Sequence, residues 1–115
     1  MARYLPRTGS GPRYALANVA ASQTDSEIVA AVTGRRIRVL SVACVCGATA
    51  TNLTFNSKGS GAGTAISMQF QNAANSGAVL PFNEAGWFET VPNEGLTVTT
   101  GDGSTTGIQV AYVVW

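Results

Sequence analysis

Histidine is missing from this 115-residue chain, charge is scarce, and cysteine occurs only twice. Each shortage closes off chemistry. Without histidine, the commonest general base near neutral pH, an acid–base pair has to come from the carboxylates Asp25, Glu27, Glu84, Glu89, Glu94 and Asp102, most of them at turns. Glu84 and Glu89 flank the Gly86 bend in the manner of a glycosidase pair, but solvation at a strand edge explains them equally well. Cys44 and Cys46 alternate along one strand, so they point the same way yet sit too far apart for an easy bridge, and no histidine is present to complete a zinc site. They read as buried free thiols. Asp102 has no accompanying series of oxygen ligands for calcium, and Lys58–Thr64 lacks the Gly-Lys-Ser/Thr ending of a phosphate loop. The expectation is a non-enzyme with no catalytic residue, metal or cofactor.

Long apolar runs are also missing. No stretch approaches the roughly 20 residues that cross a bilayer, and no signal-like core precedes residue 14, which points to synthesis in a cytoplasm and no membrane partner. Charged residues make up 11% of the chain, against roughly 25% in an average soluble protein. Seven basic and six acidic residues nearly cancel, so self-repulsion does little to keep copies apart. A chain of this length fits one domain with its own core.

What is present is a series of short apolar runs separated by turn residues, the pattern of an antiparallel β protein. Residues 1–13, MARYLPRTGSGPR, hold prolines, a Gly-Ser-Gly-Pro run and several arginines without periodicity, and read as an extended arm ahead of a 14–115 sandwich. The arginines are too few for a nucleic-acid partner. Residues 14–20 and 27–32 suggest a hairpin broken by Ser22–Ser26, although the alanines of the second run also suit a helix capped by Asp25 or Ser26. Residues 35–46, RRIRVLSVACVC, make the longest strand. Both of its faces are apolar, Ile37, Val39, Ala43 and Val45 alternating with Leu40, Val42, Cys44 and Cys46, so it is central or meets another subunit. The candidate subunit contacts on it are Arg38, Leu40 and Val42.

Residues 51–57 place Leu53 and Phe55 inward, and 65–71 place Ile66, Met68 and Phe70 inward. Pro81 marks an edge or a bulge. Trp87 and Phe88, adjacent on a strand, point to opposite faces, so one fills the core while the other covers a loop, a partner or a ligand. Val91-Pro92-Asn93-Glu94-Gly95 suits a tight turn, and the strand carrying Ile108, Val110, Tyr112 and Val114 reads as central. Eight or so strands with little helix indicate an all-β fold, a jelly-roll-like antiparallel β-sandwich, with an immunoglobulin-like sandwich as the alternative.

The order Leu80-Pro81-Phe82, Gly86-Trp87-Phe88-Glu89-Thr90, Asn93-Glu94-Gly95-Leu96, Gly-rich turn and final apolar strand resembles small β-sandwich virion proteins of tailed bacteriophages over about residues 50–115. The resemblance implies a capsid decoration, or cement, protein that adds to the outside of an assembled head, often as a trimer. Its partners would be the major capsid protein and copies of itself. On that view Arg3, Tyr4, Leu5, Arg7 and Arg13 are the candidate capsid contacts. A glycan- or receptor-binding module of a tail or fibre, using Trp87, is the competing expectation.

Overall fold

The computed structural model describes residues 11–115, which form β1 (Arg13–Val19), β2 (Ser26–Val29), β3 (Ile37–Cys46), β4 (Thr51–Lys58), β5 (Thr64–Ala65), β6 (Phe70–Asn72), β7 (Gly77–Leu80), β8 (Phe88–Glu89), β9 (Gly95–Thr100) and β10 (Thr106–Val114). The pairing is nested. β1 pairs with β10, β2 with β9, β3 with β7 and β4 with β6, all antiparallel, so the chain behaves as one long ribbon folded over on itself. The contacts β10–β3 and β9–β4 then complete two sheets, β1-β10-β3-β7 and β2-β9-β4-β5, with β8 and β6 added at the same side of each. This is a jelly roll of eight principal strands, with two-residue β5 and β8 as additions.

The core lies between the sheets, where β-branched and aromatic side chains suit a pleated, one-side-buried surface. Ile37, Val39, Val42 and Cys44 on β3 and Ile108 and Val110 on β10 face Leu53 and Phe55 on β4 and Leu96 and Val98 on β9. Phe55 is its centre, edge-on to Phe70 at 6.1 Å and tilted against Phe88 at 5.2 Å. β10 is central, as its apolar face requires. Beyond it Trp115 and Arg36 exchange both backbone hydrogen bonds. The turn after β8 has Pro92 at its second position and Asn93 at φ 71°, closed by Glu94 N donating to Val91 O at 3.2 Å.

Several expectations need correction. β1 and β2 are not a hairpin: Ser22 and Asp25, both at positive φ, carry the chain from one sheet to the other. The Asp25 carboxylate anchors that crossing, accepting from Asn56 Nδ2 at 3.1 Å, Thr97 Oγ1 at 3.1 Å and Gly63 N at 3.0 Å. The second run is a four-residue strand, so the helical alternative falls too. The strand expected at 65–71 is broken into β5 and β6. Ser67 Oγ takes the Phe55 N–H at 2.9 Å in place of a backbone carbonyl, the chain leaves the ladder, and Met68 emerges 68% exposed. The strand expected around Trp87 shrinks to Phe88–Glu89.

The apolarity of both faces of β3 has a local cause. Ser41 lies opposite Ala111 and Val39 opposite Tyr112, which leaves Leu40 as an extra residue, a bulge that shifts the alternation by one. Ile37, Val39, Val42, Cys44 and Cys46 are therefore buried, while Ala43 and Val45 are exposed.

Candidate subunit interface

The outward face of the β1-β10-β3-β7 sheet can be read from its register. One row runs Tyr14, Ala111, Ser41; the next Leu16, Gln109, Ala43, Val79; the third Asn18, Gly107, Val45, Gly77. No charged side chain stands in any of them. Tyr14 and Leu16, 73% and 74% exposed, form a ridge along β1, and Val45 and Val79 form another across the sheet. Gln109 and small residues lie between. The furrow contains a depression of about 350 Å³ beside Leu16 and Val45 and another of about 260 Å³ beside Tyr14 and Val79.

The outer face of the second sheet is built for water. Its rows read Glu27, Thr97, Asn56, Ala65 and Thr99, Thr54, with Asn52 opposite Gln71. These side chains are tied to one another: Thr99 Oγ1 accepts from Asn56 Nδ2 at 2.9 Å and from Asp25 N at 3.2 Å. A sandwich with two solvated faces would show this composition on both. Leaving Tyr14, Leu16 and Val79 in water forgoes about 1.5–3 kcal/mol for each large apolar side chain.

An apolar cleft opens at the side of the sandwich opposite β1, with a volume of about 520 Å³. Ile66, Met68 and Phe70 line it from one sheet and Leu80, Trp87 and Phe88 from the other. Phe88 turns inward onto Phe55, and Trp87, 41% exposed, covers the loop after β7, its Nε1 donating to Pro81 O at 2.8 Å. The expected division of labour between the two aromatics holds. Ser67, the one polar side chain lining the cleft among the described residues, already has its hydroxyl engaged with Phe55 N and Met68 O, which leaves little to orient a sugar.

The residues expected to make subunit contacts are placed differently. Leu40 and Val42 are buried, at 0% and 2% exposure, and cannot form an interface; the bulge turned the strand's second apolar face into core. Arg38 does face outward, but its Nε donates to Glu89 Oε1 at 3.0 Å while its guanidinium lies 4.2 Å over the Trp115 ring. Arg36 donates to the other Glu89 oxygen at 2.9 Å. Partial burial pushes the Glu89 carboxyl up, but the two arginine hydrogen bonds and charges outweigh it and hold the group below the ordinary glutamate value. With both oxygens engaged, Glu89 is the anchor of a sheet end.

Arg13 belongs to β1 rather than to an arm, lying opposite Tyr112. Arg3, Tyr4, Leu5 and Arg7 lie outside the described residues. Cys44 and Cys46 are buried and unbridged. Burial pushes the Cys44 thiol above its ordinary value against smaller opposing hydrogen bonds from Ala78 and Asn72.

The exposed ridge residues Tyr14, Leu16 and Val79 were not singled out from the sequence. The signal present was alternation: Tyr14 and Leu16 interleave with Ala15 and Ala17, and only the pairing shows that the alanines take the inner face. Compared with known proteins, the chain matches no family model, no curated protein and no solved structure.

Proposed function

We propose that this protein is a virion structural component, a capsid decoration protein that attaches to the outside of an assembled phage head and stabilises it. The observation that carries the reading is the contrast between the two outer faces. One is threonine- and asparagine-rich and internally hydrogen-bonded; the other carries no charge in the three rows from Tyr14 to Gly77 and exposes Tyr14, Leu16, Val45 and Val79 there. A sheet with such a face is covered in its working state, and a protein with so little net charge meets little resistance to being covered. The jelly roll, common among viral shell proteins and lectins alike, and the run of turns from Leu80 to Leu96 support the same reading. In this role Arg3, Tyr4, Leu5 and Arg7 reach the major capsid protein, and the sandwich contacts further copies of itself.

The test is to mix purified protein with heads that lack it and pellet them. Saturable co-pelleting at a fixed number of copies per head is the expected result. Removing residues 2–10, which spares β1, should abolish pelleting while leaving the thermal transition in place. A folded full-length protein that stays in the supernatant at every concentration rules the reading out.

A further inference from the structure

The apolar surface is distributed unevenly around the sandwich, and the distribution specifies how copies meet. At one side lies β1, seven residues long, with neither charge nor proline from Tyr14 to Val19 and with Tyr14 and Leu16 protruding. Edge strands of this kind invite pairing unless they are blunted. The others are blunted: β2 is short, carries Glu27 and is bulged before Val29; β7 ends against Pro81; β5 has two residues. At the opposite side lies the cleft, where Met68 and Trp87 are exposed and the chain from 67 to 69 has left the ladder. Leu80 lines both this cleft and the depression beside Val79, so the apolar surface continues around the β7 edge. The molecule thus has a protruding ridge on one side and a concavity of matching chemistry on the other.

We infer that copies of this chain join head to tail, the β1 edge of one copy seating Tyr14 and Leu16 in the Ile66, Met68, Leu80 and Trp87 cleft of the next, and that the series closes into a ring. The inference rests on the self-association in the decoration reading and adds its geometry. A two-fold contact would bring ridge to ridge or cleft to cleft unless both pairs of sites met at once, whereas a head-to-tail contact uses one of each and repeats until rotation closes it. The area is sufficient. Tyr14, Leu16, Met68, Val79 and Trp87, all 41% exposed or more, offer together on the order of 600 Å² of apolar surface. Interfaces are a little over half apolar, so this corresponds to about 1,050 Å² in all, just above the roughly 1,000 Å² that a specific interface should clear.

The experiment uses light scattering on the full chain and two variants, Leu16→Glu and Met68→Glu. Both positions are exposed, and a near-UV spectrum and thermal melt confirm folding of each. The wild type should run above a dimer, about 35 kDa for a ring of three 11.8 kDa chains. Each variant alone should be monomeric. Mixed in equal amounts they should form a 1:1 pair of about 24 kDa, because one retains a good β1 edge and the other a good cleft. Monomeric wild type, variants that keep the wild-type mass, or a mixture that stays monomeric would each overturn the head-to-tail arrangement. A ring that forms normally but does not pellet with heads would leave this inference standing and remove the capsid reading instead.

Discussion

Glu89 carries the clearest pH signature among the described residues. Its carboxyl is held below the usual value in the folded state by Arg36 and Arg38. Its contribution is therefore complete above the unfolded glutamate value of about 4.3 and disappears as pH falls from there through the lowered folded value. The side chains are 29–42% exposed, so screening limits the pair to under about 1 kcal/mol. Glu89→Gln should accordingly lower stability slightly at pH 7 in denaturant titrations, with the difference from wild type closing at acid pH. A gap that persists undiminished below pH 3 would assign the loss to packing instead. At this scale the sequence was partly legible: clustered Arg35, Arg36 and Arg38 required a carboxylate or open water, and two of them found Glu89 while Arg35 remained exposed. Which carboxylate they would find depended on β3 lying beside β8, with Arg38 opposite Glu89.

Among the elements, the crossing from β1 to β2 depends most on a single side chain. Asp25 stands at φ 51° and accepts from groups on β4, β9 and the 59–63 loop. Asp25→Ala removes three acceptor contacts at once and leaves a partly buried Asn56 amide without one of its partners, at a cost of about 1–3 kcal/mol in chemical unfolding; Asp25→Asn, which retains one oxygen, should lose less. Equal losses for the two variants would overturn this, because Asn keeps both an acceptor oxygen and the tolerance of positive φ that Ala lacks. The sequence marked 22–26 as a turn through its polar composition. It did not show that the turn changes sheets, because that depends on β1 pairing with β10, 87–99 residues away, and β2 with β9, 67–72 residues away. The same limitation explains Met68: alternation placed it inward, and a ladder position taken by the Ser67 hydroxyl turned it out. Gly77 is a further instance. It reads as a loop residue, yet a Cβ there would collide with the Cys44 carbonyl, so glycine is what lets β7 lie against β3.

For the whole molecule, nested pairing means that the first described strand and the last close the same sheet. Nothing local completes that sheet, and loop closure must precede the reward from contacts. Refolding of the full chain should take milliseconds to seconds, as in other sandwiches dominated by non-local pairing. A chain ending at Thr105 should show no cooperative transition, since β1 and β3 both lose the β10 partner between them; a cooperative melt in that fragment would mean the second sheet folds independently. The same topology places the β1 ridge and the apolar cleft on opposite sides of the sandwich.

Composition and period were enough to determine an all-β sandwich, a central final strand, an edge or bulge at Pro81, buried unbridged cysteines and the opposite orientations of Trp87 and Phe88. Each of these depends on near neighbours in the chain: on side-chain alternation every two residues, on a missing N–H, or on how far apart two adjacent Cβ vectors can point. Register, bulges and the pairing of distant strands were decided only in the tertiary structure. A single extra residue at Leu40 sent Leu40 and Val42 into the core and left Ala43 and Val45 on the surface, and no local preference at those positions distinguishes one outcome from the other. Leu40 and Val42, expected from the alternation at a subunit contact, became core in this way, because a shift of one residue in a strand exchanges its two faces.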